Sequence, residues 1–175
     1  MGSGGARVLI VGLSINGAAI VTSVSYAGVA MNHLGTESAN GNTVDMWWLL
    51  DPTPGTNTIQ VAATGNRRTV GGAASFTDVA SVGGFTAASG RGGTASVIVA
   101  SLGQVIVDTV ATTGNALPIS PAAGQTERWN NQTGSGGGDA VGGGSSRGGL
   151  LSVATAWQLQ GNENWSIGAT TLRPC

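Results

Sequence analysis

The chain has no lysine, one histidine, one tyrosine and one cysteine, and only 9% of its 175 residues are charged. Each shortage removes a class of chemistry. A single cysteine, Cys175, excludes an intrachain disulfide, and with His33 as the sole histidine a transition-metal site lacks its soft ligands. Without lysine there is no phosphate-gripping P-loop, and the glycine runs match neither that motif nor a dinucleotide fingerprint. Seven arginines face eight acids, giving a formal net charge of −1, and only Arg67 and Arg68 adjoin. Binding nucleic acid requires clustered cations to neutralise phosphates, so no nucleic-acid partner is expected. No run of ~20 apolar residues occurs, so no membrane span is expected. The apolar run after Arg7 breaks at Gly12, Ser14, Asn16 and Gly17, before the core of a secretion signal has formed.

What is present is glycine and apolar side chains. Hydrophobic residues make up 41% of the chain, enough for a core, while glycine and proline together reach about a fifth. That composition describes a folded, turn-dense protein. Glycine, serine, threonine or asparagine interrupts almost every helical window, and short strands fit instead. Residues 8–13 are apolar on both faces, as a central strand between two layers would be. Residues 20–26 and 29–34 flank Ala27-Gly28 as a hairpin; 44–50 form a strand stopped by Asp51-Pro52-Thr53-Pro54-Gly55, with 58–64 as its return. Residues 69–79 read as a strand curved at Gly71-Gly72, and 95–100 with 104–110 as a hairpin turned at Leu102-Gly103. Further strands fall at 125–129, 150–157 and 165–172, and the glycine-rich stretch at about 130–149 reads as a flexible loop. About ten short strands with frequent turns predict an all-β fold, an antiparallel β-sandwich with jelly-roll-like character, in one domain over residues 1–175.

The polar residues point away from catalysis. His33 stands in Met31-Asn32-His33-Leu34 with no nucleophile elbow nearby, and reads as a strand histidine. Asp108 shares a strand face with Ile106 and Val110, so it is expected to be hydrogen-bonded near a strand end. The remaining acids are dispersed, no calcium loop motif is present, and no cofactor or metal is expected. A pair of carboxylates on a sandwich could in principle hydrolyse a glycoside, but only with a cleft that perturbs a pKa. The sequons at Asn131 and Asn164 are short enough to arise by chance.

The five tryptophans carry more information. Trp47 and Trp48 are adjacent on a strand and must point to opposite faces, so only one is core if the other face is solvated. Trp47, Trp48 and Trp129 are therefore the candidates for subunit contact or for stacking on a sugar ring.

The segments Arg7-Val8-Leu9-Ile10-Val11-Gly12, Val24-Ser25-Tyr26-Ala27-Gly28, Trp48-Leu49-Leu50-Asp51-Pro52, Ala73-Ala74-Ser75-Phe76-Thr77-Asp78-Val79, Gly124-Gln125-Thr126-Glu127-Arg128-Trp129-Asn130 and Asn164-Trp165-Ser166-Ile167-Gly168-Ala169 together resemble a β-sandwich module that recurs in bacterial and phage surface and structural proteins. The resemblance implies a structural role and transfers no catalytic residue. Such modules carry a further strand before the segment resembling Gly4-Gly5-Ala6-Arg7-Val8. An unpaired edge is expected where that strand is missing, covered by a neighbouring subunit or by the 130–149 segment.

Together these readings lead to a non-enzymatic structural protein, self-associating within a virion as a capsid decoration (cement) or tail-associated protein. Its expected partners are other copies of itself and a capsid or tail protein. The alternative is an extracellular or cell-surface adhesin that binds a glycan.

Overall fold

The computed structural model describes residues 6–149 and 151–175. Among them the chain is almost entirely strand, and every strand pairing is antiparallel. In chain order the strands are β1 (Arg7–Asn16), β2 (Val21–Tyr26), β3 (Val29–Ala30), β4 (Asn32–Ala39), β5 (Asn42–Leu50), β6 (Ile59–Ala63) and β7 (Thr69–Thr77). They continue as β8 (Val79–Val82), β9 (Thr86–Ala100), β10 (Val105–Thr113), β11 (Ser120–Pro121), β12 (Thr126–Gln132), β13 (Ala140–Gly148) and β14 (Ser152–Pro174). The described residues thus hold fourteen strands where about ten were expected: breaks at Met31 and Asp78 split two expected strands, and β11 and β13 form where none was expected.

Three sheets result. β4-β5-β1-β7 form a four-stranded sheet, β3-β2-β6 a three-stranded one, and a seven-stranded sheet runs β11-β14-β10-β13-β12 with β8 and β9 also on β14. The four-stranded sheet lies in the middle. The odd residues of β1, Leu9, Val11, Leu13 and Ile15, pack with Val24, Tyr26 and Met31 of the three-stranded side. The even residues Val8 and Ile10 pack with Val107, Ala111 and Leu172 of the seven-stranded sheet. This two-sided burial is why β1 is a continuous apolar run rather than an alternating one. Ser14 continues the even row, and its hydroxyl donates to the Val141 carbonyl of β13 at 2.7 Å.

A third apolar cluster lies on the far face of the seven-stranded sheet. β9 and β14 pair from Ala100–Ser152 to Thr86–Ala169, broken once between Gln158 and Glu163, and Val97, Val99, Trp157 and Leu159 from this ribbon cover Ile106, Val110 and Val141. Of the expected strands at 150–157 and 165–172, residue 150 lies outside the described residues, while 152–157 and 165–172 are parts of one 23-residue strand, with Gly161, at φ +81°, within its register break. A positive φ there is open to glycine at no steric cost.

Several expected pairings are different in the fold. Ala27-Gly28 does turn a hairpin, joining Tyr26 to Val29, but the chain leaves that sheet at Met31 and enters the middle one as β4. The return strand β6 pairs with β2, not with β5. Leu102-Gly103 form a tight turn, yet β9 and β10 do not pair with each other, because β14 lies between them. β1 is not an edge: β5 flanks it on one side and β7 on the other. The edges of this sheet are β4 and β7, and β12 covers part of β7, with Asn131 Nδ2 donating to the Gly71 carbonyl at 3.0 Å.

The glycine-rich stretch is mostly not a flexible loop. Only 133–139 is irregular, and β13 is an interior strand between β10 and β12. Its glycines are small because both faces are occupied. A Cβ on Gly142 would lie 2.3 Å from Cβ of Ser14, one on Gly143 2.3 Å from the Trp157 ring, and one on Gly144 2.0 Å from Nε1 of Trp129. Composition suggested flexibility, but the run is a packing requirement.

Candidate functional site

The middle sheet gives Trp47 and Trp48 opposite faces, both of them covered. Trp47 belongs to the cluster under the three-stranded sheet and is 7% exposed, while the half-buried Trp48 packs beside Val44 and Met46 toward the seven-stranded sheet. The sequence argument allowed one of the pair to face solvent. A third layer removes that choice. Trp129, also half-buried, closes the gap between the edges of two sheets, since a Cβ on Gly72 of β7 or Gly144 of β13 would meet its indole at 2.1 and 2.0 Å. Next to it, Arg128 stands 5.3 Å over the Phe76 ring and donates from Nε to Ser146 Oγ at 2.8 Å. A guanidinium on an aromatic face adds cation–π attraction to that seal.

Two buried carboxylates organise the polar chemistry. Asp45 of β5 is 2% exposed. Its oxygens accept from Trp47 Nε1 and, at 2.5 Å, from Thr36 Oγ1, and His33 Nε2 lies 3.4 Å away. The His33 ring lies tilted at 45° against that of Trp47, centroids 4.6 Å apart, and its Nε2 is 3.1 Å from Thr36 Oγ1. Burial raises the Asp45 carboxyl above its ordinary range, against the pull of Thr36, His33 and Trp47. The β4–β5 hairpin creates this cluster by register, setting Thr36 opposite Asp45 and His33 opposite Trp47 around the Asn40-Gly41 turn. An Asn-Gly pair between two strands is the sequence signal for that hairpin.

Asp108 is at the centre of β10, not near its end, and is 1% exposed. Oδ1 accepts from the Ser145 backbone N–H at 3.0 Å and from Trp157 Nε1 at 2.9 Å. Oδ2 accepts from Thr155 Oγ1, from Ser145 Oγ at 2.7 Å and from Gln125 Nε2 at 3.3 Å. Burial again raises this carboxyl above its ordinary range, and the hydroxyl, indole and amide donors lower it. The expectation of a hydrogen-bonded aspartate holds; the number of donors that converge on it was not legible, because they come from Gln125, β13 and β14.

The surface offers apolar ground. Leu102 at the β9–β10 turn is 71% exposed and Leu151 75%, and the Leu151 carbonyl accepts from the N–H of Ser101, the residue before Leu102, at 3.2 Å. Val105, 37% exposed, follows the same turn and borders a cavity of about 180 Å³ lined also by Phe76, Val79, Leu172 and Pro174. Among the described residues no group of three or more histidine, cysteine or acidic side chains is placed to hold a metal ion, and no helix is long and apolar enough to cross a membrane. Comparison of the chain with protein-family models, with characterised proteins and with solved structures finds no match.

Proposed function

We propose that this chain is a non-enzymatic structural protein that works through contacts with copies of itself and with a larger shell, as a decoration or tail-associated component of a phage virion, on a jelly-roll-like sandwich. The observation that carries this reading is the exposure of Leu102, Leu151 and Val105, on or next to segments joined by the Ser101–Leu151 backbone hydrogen bond. Large aliphatic side chains left in water on a weakly charged surface suit a contact with another protein surface. A contact burying roughly 1,200–2,000 Å² holds subunits together without covalent links. The layered strands supply rigidity, and the buried carboxylates Asp45 and Asp108 use their lone pairs to tie strands to one another.

Light scattering coupled to size exclusion tests it. The unaltered chain is expected to elute as an oligomer, and Leu102→Glu with Leu151→Glu to elute as a folded monomer. An unaltered chain that stays monomeric at every accessible concentration counts against the reading.

A further inference from the structure

The group around Asp108 has a feature that stability alone does not require. The Gln125 side chain, from the turn before β12, is gripped at both ends. Its Oε1 accepts from the Ala156 backbone N–H at 2.7 Å, and its Nε2 donates to Ser145 Oγ at 2.7 Å and to Asp108 Oδ2 at 3.3 Å. The same Oδ2 accepts from the Thr155 hydroxyl, and Thr155 immediately precedes the residue whose N–H holds the amide oxygen. One carboxyl oxygen therefore touches both a hydroxyl nucleophile and the nitrogen of an amide. The amide oxygen already has the N–H donor that an oxyanion would need.

We propose that Thr155 and Gln125 join spontaneously in an ester cross-link, with Asp108 as the proton carrier. Thr155 Oγ1 attacks Cδ of Gln125 and gives its proton to Asp108 Oδ2, while the carbonyl electron pair moves onto Oε1, against the Ala156 N–H. The tetrahedral carbon then collapses: the Cδ–Nε2 bond breaks, the nitrogen takes the proton from Asp108 and leaves as ammonia. One O–H and one C–N bond are exchanged for one C–O and one N–H bond. No oxidant, cofactor or added water enters, and the carboxyl is returned as it began.

The surroundings favour each step. Thr155, Ser145 and Trp157 are fully buried and Asp108 is 1% exposed, which keeps water from the hydroxyl side of the bond, while Gln125 itself is half-buried. Fixing nucleophile and amide in one hydrogen-bonded group replaces an encounter in solution with an intramolecular step, where effective concentrations are very high. Burial raises the Asp108 carboxyl, which lets it hold the proton between the two transfers. Ser145 Oγ faces the departing nitrogen and stabilises the amine as it forms. The bond ties the turn before β12 to β14 and constrains the unfolded chain as a disulfide would, in a sequence whose only cysteine is Cys175. This chemistry goes beyond the assembly reading and is independent of it, since a cross-linked chain can be monomeric.

Intact-mass spectrometry of the purified, denatured full chain decides the matter. The expected mass is lower than the sequence mass by one ammonia, with a branched proteolytic peptide joining the Gln125 and Thr155 segments that hydroxylamine separates. Thr155→Val, if it folds, is expected at its full sequence mass. The full sequence mass for the unaltered chain overturns the proposal. So does loss of water, or loss of ammonia mapped to an Asn-Gly pair such as Asn16-Gly17 or Asn40-Gly41, or a branch through Ser145.

Discussion

Gly143 of β13 lies directly beneath the indole of Trp157, so close that a methyl group in place of its hydrogen would stand 2.3 Å from the ring. The pair shows how this fold uses glycine: a large aromatic on β14 is fully buried because the strand beneath it has no side chain to displace it.

Gly143→Ala is therefore expected to destabilise the protein by about 1–3 kcal/mol, the ordinary cost of overpacking a dense core. Gly138→Ala, where nothing lies within 4 Å of an added Cβ, is the matched control and is expected within about 0.5 kcal/mol of the parent. Urea unfolding of the two variants checks this, and equal midpoints would contradict the packing account.

Asp108 sets a pH dependence with a definite sign. Burial raises its folded-state pKa above the ordinary 3.8, so as pH climbs the unfolded chain gives up this proton first. The contribution is then fully present below 3.8 and declines as pH rises toward the raised folded value. Asp108→Asn, which cannot titrate, is expected to flatten that part of the stability profile. It should also lower stability overall, since an amide nitrogen supplies a donor where donors already converge; about 1–3 kcal/mol is the cost for each buried group left unpaired. Chemical denaturation across pH measures both effects.

Asp139 has the opposite sign. The Gly136 N–H donates to its carboxylate at 2.9 Å and Thr133 Oγ1 at 3.1 Å, with Arg68 paired to the same group, and these hold its pKa below 3.8. Its hold on the 133–139 loop is therefore present above 3.8 and is lost as pH falls through the lowered value. Amide exchange at Gly136 is expected to be faster in Asp139→Ala than in the parent at neutral pH. An unchanged rate would show that the loop is held by something else.

Trp47→Phe keeps most of the buried ring and removes the indole N–H that Asp45 accepts. The Asp45 carboxyl, already raised by burial, is expected to titrate still higher, with a loss of about 1–3 kcal/mol in stability. A carbon-detected NMR titration of the aspartate side chains resolves the shift, and a carboxyl that moved downward would refute this account of the cluster.

The strand content was legible, since interrupted apolar runs permit little else, but not every strand's place: β13 read as a loop, and residues 35–39 and 86–94 carried no strand assignment. The middle position of β1 was legible too, from an apolar run without alternation. Partners were harder to read. Strand pairing depends on which edges meet in space, so the shift of β6 from β5 to β2 and the insertion of β14 between β9 and β10 left no local mark. The Asn40-Gly41 pair carries a local hairpin signal, and the register it sets, which brings Thr36 opposite Asp45, emerged only in the fold. The Asp108 group was not legible, because its donors lie far along the chain at Gln125, Ser145, Thr155 and Trp157.

By itself, the sequence determined that this protein is built from strands, that its surface is hydroxyl and amide rather than ionic, and that its single cysteine allows no intrachain disulfide. Tertiary structure alone decided what Gly142-Gly143-Gly144 are for, and which buried side chains Asp108 would gather. The reason is physical: a strand's local chemistry fixes its conformation and its two faces, whereas what covers each face is set by segments that reach it from elsewhere in the chain.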